Sequence, residues 1–326
     1  MFATSSLNSF SNLNILIIGD VMIDAYFFGS VDRISPEAPV SIISVSKKDH
    51  RPGGAANVAL NIKSLGANPI LCSIIGTDNE GLELITLLLN ERLSTDGLFS
   101  DATRPTTIKT RVISNDTHLL RIDHESVKPI SEDFENKIIA FITDSLSTIN
   151  AIILEDYNKG VLTERLITSV IKLANENNIP TIVDPKNDNF LAYKNCTLFK
   201  PNRKEIKEGL KTELDLTNFD NINDAASSLM EILGCKNIMV TLSEDGVISK
   251  SQSETFHIKA HERNIVDVSG AGDTMVSLAA LCLASGMDIE ETTKIANIAG
   301  GLVCQKVGVV PIDYSELDSE IKRLNF

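Results

Sequence analysis

Short β-branched runs ending in glycine or an acid alternate along this chain with segments of helical period, and that alternation leaves few folds open. "NILIIGD" (Asn14 to Asp20) reads as a buried strand. "AANVALNIKSLGA" carries apolar residues at helical spacing, with Gly66 as its stop. "PILCSIIG" is the next strand and "GLELITLLLNERL" the next helix. "AIILEDY" and "TIVDP" are strands separated by the helical "TERLITSVIKLANENN"; "CKNIMVTLS" and "AGDTMVSLAALCLASG" add another strand and another helix. Wholly apolar strands alternating with helices imply an α/β fold: a mostly parallel sheet with helices on both faces. Two segments break the pattern. "AYFFGSVDRISPEAPVSIISVSKKD" and "TTIKTRVISNDTHLLRIDHE" have period-2 character and turn residues such as Ser114-Asn115-Asp116. They read as antiparallel strands outside the main sheet, a small β lid at about 25–48 and 105–125. No repeat, low-complexity tract or Pro/Gly-rich linker divides the chain. The expectation is one domain over 1–326 carrying that lid.

Composition narrows the partners. A formal net charge of −14 argues against sequence-independent nucleic-acid binding and against anionic membranes. The five cysteines, Cys72, Cys196, Cys235, Cys282 and Cys304, are scattered, without a CxxC pair, so buried reduced thiols are expected. "MFATSSLNSFSN" has neither the basic nor the apolar region of a signal peptide, and no apolar run approaches a membrane span. A cytoplasmic protein is expected.

Four clusters carry candidate chemistry. In "DVSGAGD", Gly270-Ala271-Gly272 precede a strong helix pattern, so unpaired first-turn N–H groups would face a ligand. A phosphate suits that place, and Asp273 beside it could take a proton from a hydroxyl attacking phosphorus. A plain turn with a helix-start acid is the alternative. "RPGGAANVA" repeats the theme, with Gly53-Gly54 ahead of a helix and Asn57 one turn in. "GDVMIDAY" puts Asp20 and Asp24 after the carboxyl end of the first strand, where open α/β sheets place ligands, or else in a solvated loop. In "KPNRKEI", Asn202 and Glu205 lie on one face of a helical turn. They suit outer-shell contact to Mg–ATP, or a capping box, or both. No Walker A pattern, dinucleotide GxGxxG after the first strand, GxSxG elbow or metal-spaced histidine occurs.

Singly these clusters are common, but their order is not. A first-strand aspartate, then "GGAAN", "NRKE" and "DVSGAGD" resemble the ribokinase-like (PfkB-type) carbohydrate kinase family, across nearly the whole chain. Within it the chain is most similar to the heptose 7-phosphate kinase branch of ADP-heptose biosynthesis. "GDVMIDAYFFGSVDRISPEAPV", "RPGGAANVALNIKSLGA", "LLRIDHE", "EDYNKGVLT" and "VTLSEDG" carry that closer match. In the last of these, Ser243 stands where the wider family usually has glycine, a departure the heptose kinases share.

The resemblance implies ATP-dependent phosphorylation of the C1 hydroxyl of D-glycero-D-manno-heptose 7-phosphate. It makes Asp273 the catalytic base and the N–H groups of Gly270, Ala271, Gly272 and Asp273 the anion hole. Asn202 and Glu205 would serve Mg–ATP, Glu205 through water. Thr241, Ser243 and Gly246 would line the nucleotide, with Asn297 near the adenine. Asp24, Gly53, Gly54, Asn57 and Asp156 would hold the sugar. Asp267 occupies the position where many relatives bind a monovalent cation such as potassium. Relatives commonly dimerise through lid strands, so a homodimer is expected. The chain has no HxGH motif, so adenylyl transfer is expected to need a separate nucleotidyltransferase.

An acidic protein needs local positive charge to hold a sugar phosphate. Arg33, Lys109, Arg111, Arg121, Lys159 and Lys186 are candidates, with solvated surface charge as the alternative for each. Arg111 and Arg121 are favoured, because they alternate with apolar residues on the expected lid strands. Two other readings remain at this point: a kinase for fructose, ribose or another sugar, and a non-catalytic sugar-binding regulator. "RISPEAP" and "LLRIDHE" argue against the first, and the intact "GAGD" against the second.

Overall fold

The computed structural model describes Leu7, residues 9–115 and residues 117–324. The turn residue Asp116 and positions 1–6 and 8 of the stretch read for a signal peptide lie outside the described residues. Strand β1 (Asn14–Gly19) runs into β2 (Val21–Ile34), which returns as β3 (Ser41–Gly54) and leads directly into α1 (Ala55–Ser64). Then come β4 (Asn68–Ile75), α2 (Asn79–Asn90), β5 (Gly97–Ser100), the hairpin β6 (Ile108–Ser114) and β7 (Thr117–His124), and α3 (Glu132–Ser145). The chain continues through β8 (Ala151–Glu155), α4 (Glu164–Glu176), β9 (Thr181–Asp184), β10 (Leu198–Phe199), α5 (Arg203–Gly209), α6 (Phe219–Leu233) and β11 (Asn237–Thr241). An antiparallel pair, β12 (Val247–Lys250) and β13 (Thr255–Ile258), precedes three helices: α7 (Ala271–Ala284), α8 (Ile289–Val303) and α9 (Tyr314–Leu324).

The main sheet has nine strands in the order β13-β12-β11-β10-β9-β8-β1-β4-β5. Pairing is parallel from β5 to β11 and antiparallel only at the β11–β12–β13 edge. The strands are apolar on both sides because both faces are covered. Ile15, Ile17, Ala151, Ile153 and Met239 enter one core, with residues of α1, α7 and α8. Their neighbours Leu16, Ile18, Ile152, Leu154, Ile238 and Val240 enter the other, with residues of α3, α4 and α6. That is the period-2 alternation of a strand read twice over. Truncating a fully buried member such as Ile153 to alanine would cost about 2–5 kcal/mol. All five cysteines are buried and free. Among the described residues no helix is long and apolar enough to cross a membrane.

Strands β3, β2, β6 and β7 form a second, four-stranded sheet in that order. The β2–β3 and β6–β7 pairs are antiparallel, as period 2 predicts, but they join through a parallel β2–β6 contact. The reason is directional. Both β2 and β6 leave the main sheet from the carboxyl ends of its parallel strands. β2 is buried over its first six residues and exposed in its outer part, so this sheet is rooted in the body and projects from it.

Most helix starts are closed by side chains. Asp78 caps α2, Thr163 caps α4 and Asp288 caps α8 by accepting first-turn N–H groups. Helix α7 differs. Its N-cap is Gly270 at φ 81°, with no side-chain cap. Ala271 N–H donates back to Val268 O at 3.3 Å, which leaves the N–H groups of Gly272 and Asp273 for something else.

Candidate active site

The carboxyl ends of the parallel strands deliver a dense set of charged residues to one crevice, and α7 points its open N-terminus into it. Asp20 follows β1, Glu155 ends β8, Asp184 ends β9, and Lys200 and Asn202 follow β10. Outer crevices at strand carboxyl ends are where open α/β sheets hold ligands.

Asp273 lies at the centre, in the first turn of α7 and 6% exposed. Asn57 Nδ2 donates to its Oδ2 at 2.7 Å, and the Tyr157 hydroxyl donates to its Oδ1 at 2.8 Å. Burial pushes its carboxyl up, the Asn57 hydrogen bond opposes this, and the nearby Asp184 charge adds to the rise. A raised carboxyl holding donors on both oxygens has the environment of a proton acceptor. Beside it, the space over Gly272 is open. A Cβ there would stand 3.5 Å from Asp184 Oδ2 and 3.6 Å from Lys200 Nζ. Bare N–H groups, the helix dipole and a buried lysine around a small-residue cradle fit a phosphoryl group.

The floor is a charge network. Lys200 Nζ meets Asp184 Oδ2 at 2.9 Å, both nearly fully buried. Lys186 Nζ meets Glu205 Oε1 at 2.6 Å. Carboxylate oxygens of Glu155, Asp184 and Asp273 lie within 4.8 Å of one another. Burial pushes the Glu155 carboxyl well up, aided by the Asp184 and Asp273 charges. Glu155 Oε2 has no hydrogen-bond partner. Hard oxygen donors with one orphaned atom fit a hydrated divalent cation.

The face of the second sheet turned to this crevice is polar and cationic. Register pairs Asp24 with Lys109 and with Arg51, Tyr26 with Arg111, and Arg111 with Arg121. Directly paired residues share a face, so Arg111 and Arg121 lie side by side. Arg111 forms an ion pair with Asp24 and lies over the Tyr26 ring. Gly53 makes room for this pair, since a Cβ would stand 2.1 Å from Asp24 Oδ2. Arg121 is 58% exposed and bonds Asp123 on its own strand. Lys159 is paired with Glu125 at 2.7 Å. Lys109 has no ion-pair partner among the described residues and lies over the Tyr157 ring. Burial and then the Lys159 charge push its ammonium down, against the opposing charges of Glu125 and Asp123.

Two expectations need correction on this side. Asp20 is not a free acceptor: its carboxylate takes the backbone N–H groups of Tyr157, Lys159 and Val161. It fixes the "DYNKG" loop instead. Asp156 does not face the sugar side either. It is 1% exposed, with Oδ2 taking the Tyr193 hydroxyl at 2.6 Å and Oδ1 the Asn158 N–H at 2.7 Å. Its neighbour Tyr157 reaches the site in its place. Gly54, at φ 60°, is the N-cap of α1 and passes close to Asp20 O, so its role is the tight entry that presents Asn57.

The residues expected at the nucleotide gather round the ends of β10 and β11. Asn202 and Glu205 form a true capping box on α5, and Glu205 also holds Lys186. Asn202 bridges to Thr241 on β11. Ser243 stands at φ 56° and Gly246 at φ 88° in the turn that follows. The left-handed backbone at Ser243 shows why a glycine suits that place and marks the serine as a strained departure. Asn297 on α8 donates to Lys259 O at 2.9 Å, tying the loop before α7 to the helix behind it. Asp267 takes the N–H groups of Ser269 and Gly308 at 2.9 Å each, and these outweigh burial to hold its carboxyl down. An ionised carboxylate beside two turns fits a monovalent cation.

"EDYNKGVLT" spans Glu155 and Tyr157 and "KPNRKEI" begins at Lys200, but no motif assigns a role to these residues or to Asp184. Glu155 and Asp184 end strands, and the rule that picked Asp20 would have found them. Nothing in "EDY" or "FKP" alone signals that a tyrosine and a fully buried lysine converge on Asp273.

The model of the pfkB family carbohydrate kinase matches residues 12–314. The chain is 37% identical over 330 residues to the bifunctional protein HldE of Pelobacter propionicus, covering 98% of this chain and 67% of that one. It is 37% identical over 294 residues to the bifunctional protein HldE of Helicobacter pylori, covering 90% and 63%. The chain thus spans about two-thirds of the length of these relatives or slightly less. Among solved structures it superposes on phosphofructokinase-2 from Escherichia coli in complex with potassium, with a TM-score of 0.79, 21% identity and coverage of 96% and 99%. It also superposes on ribokinase from Arabidopsis thaliana complexed with ribose and ATP, with a TM-score of 0.72, 20% identity and coverage of 97% and 99%. Those likenesses make the fold ribokinase-like. A small-residue helix start without a side-chain cap, with a buried acid beside it, suits transfer of a phosphoryl group to a hydroxyl, and the family match over residues 12–314 agrees: this chain belongs to the pfkB family of carbohydrate kinases.

Proposed function

We propose that this sugar kinase phosphorylates the C1 hydroxyl of D-glycero-D-manno-heptose 7-phosphate, using Mg–ATP, to give the 1,7-bisphosphate. The observation that carries the reading is the pairing of Asp273 at the open start of α7 with a cationic lid face that holds an unpaired Lys109. A sugar that already bears a phosphate has a use for both. The similarity to HldE proteins over most of the chain supports the heptose branch.

In this reading the sugar lies between the second sheet and the crevice, with its C1 hydroxyl toward Asp273. Asn57 and the Asp24–Arg111 pair orient it, with Gly53 and Gly54 giving the backbone clearance. Lys109 takes its 7-phosphate, with Arg121 at the rim. The N–H groups of Gly270, Gly272 and Asp273 hold the transferring phosphoryl, whereas the Ala271 N–H expected among them donates to Val268 O. Asp273 accepts the C1 hydroxyl proton as the oxygen bonds to phosphorus and the bond to ADP breaks. Thr241, Ser243, Gly246 and Asn297 line the nucleotide, with Asn202 and Glu205 near its phosphates. Bound magnesium would neutralise charge on those phosphates, and Glu205 through water, with Glu155 and Asp184 behind it, is the donor set that fits. Asp267 would hold potassium.

The second sheet also supports self-association. Leu120 and Ile122 alternate with Arg121 and so project from its outer face, where both are exposed, together with Ile34 and Val45. We read this as a homodimer surface. Nucleotidyl transfer onto the product belongs to another catalytic unit.

The test is kinetic. Lys109→Ala should raise KM for heptose 7-phosphate at least tenfold, about 1.4 kcal/mol, with KM for ATP little changed. An unaltered sugar KM would remove Lys109 from the phosphate site.

A further inference from the structure

Tyr157 holds Asp273 directly, and its own position is fixed from three sides. Its backbone N–H donates to Asp20 Oδ2 at 2.9 Å, on the carboxylate that also takes the N–H groups of Lys159 and Val161. Its ring lies under Lys109 Nζ at 5.7 Å and Lys186 Nζ at 5.6 Å from the centroid. Its hydroxyl reaches Asp273 Oδ1 at 2.8 Å, while Asn57 occupies Oδ2. The hydroxyl therefore donates to the base just as an acceptor alcohol would.

A kinase with a formed base has a competing reaction. Water can take the alcohol's place: its oxygen bonds to the γ-phosphorus, the bond to the β-phosphate oxygen breaks to leave ADP, and its proton passes to the carboxylate. We propose that Tyr157 is a positioning residue that occupies the acceptor side of the Asp273 carboxylate while the sugar is absent, and so suppresses transfer to water. The proposal rests on Asp273 being the base. The tyrosine suits the task because its hydroxyl donates to Asp273 Oδ1 at 2.8 Å while its backbone N–H is held on Asp20 Oδ2 at 2.9 Å. The same ring carries Lys109 from the lid, so a sugar phosphate drawn to Lys109 arrives beside the group the sugar hydroxyl must displace.

ADP release from Mg–ATP, measured with no sugar and with saturating heptose 7-phosphate, tests this on wild type, Tyr157→Phe and Asp273→Asn. Tyr157→Phe keeps the ring and both lysine contacts, so the fold should hold, which thermal melting checks. Loss of one hydrogen bond of ~1 kcal/mol corresponds to roughly fivefold, so the sugar-free rate of Tyr157→Phe should rise about fivefold and its ratio to the sugar-dependent rate by at least as much. An unchanged sugar-free rate, or both rates falling in proportion, would overturn the proposal. The sugar-free measurement needs no acceptor and stands whichever sugar is used. Asp273→Asn separates the two readings: if it retains the sugar-dependent rate, the base assignment fails and the Tyr157 proposal with it. If it is silent while Tyr157→Phe leaves the sugar-free rate unchanged, the Tyr157 proposal alone fails.

Discussion

At the scale of single residues, the site is a set of donors arranged round one carboxylate. Asp273→Asn keeps the shape and the hydrogen bonds available to an amide but removes the proton acceptor. The expected loss in kcat is roughly 10²–10⁴-fold, with ATP affinity within a few-fold of wild type. Steady-state kinetics beside nucleotide titration would measure both. Gly53→Ala addresses the sugar side instead. Its Cβ would land 2.1 Å from Asp24 Oδ2 and force the Asp24–Arg111 pair apart. KM for the sugar should rise several-fold while the ATP KM stays put; equal changes in both would mean that Asp24 has no part in holding sugar. Asp156 offers a test by pH. Burial, then the Asp20 charge, push its carboxyl up to about 6, from 3.8 in the unfolded chain. The native state therefore binds this proton more tightly. Its contribution to stability is complete below the unfolded value and is lost as pH rises through about 6, at a cost of up to ~3 kcal/mol. Asp156→Asn should gain melting temperature relative to wild type at pH 8 compared with pH 4.5. An identical difference at both pH values would contradict the assignment.

At the scale of elements, what could be read in advance was what local chemistry dictates. β1, β4, β8 and β11 announce themselves as β-branched apolar runs, because strands buried on both faces leave no polar alternation to confuse them. The start of α7 was legible because Gly270, Ala271 and Gly272 offer no capping side chain ahead of a long apolar helix, which leaves the N–H groups of Gly272 and Asp273 bare. The capping box at Asn202 and Glu205 was legible as one of two readings, and the structure realises it while leaving Glu205 bound to Lys186 at the site. Tyr157 and Lys200 were not legible, since each gains its meaning only when two strand ends meet α7. The parallel β2–β6 join was hidden for the same reason: both hairpins look alike in sequence, and only the common direction of their exit from the main sheet decides how they pair. Asn202→Ala tests the cap at this scale. It should cost about 1 kcal/mol of stability and, by loosening Glu205, raise KM for Mg–ATP. A stability loss with unchanged nucleotide kinetics would reduce the pair to a cap.

At the scale of the whole molecule, an acidic chain gathers its useful positive charge between two sheets, with Lys186 and Lys200 on the body and Lys109 and Arg111 on the projecting sheet. The outward face of that sheet carries the exposed Leu120 and Ile122, and Leu120→Lys with Ile122→Lys should convert the proposed dimer to monomer in light scattering. A wild-type monomer would refute the dimer reading. In the proposed reading both sheets converge on one acceptor, and its identity decides whether the heptose assignment stands. The decisive measurement is ADP release with Mg–ATP against heptose 7-phosphate, fructose 6-phosphate, fructose and ribose. Turnover with the heptose phosphate and little with the other three is expected. Preferred turnover of fructose 6-phosphate, fructose or ribose would keep Asp273 and its cradle but contradict the heptose assignment.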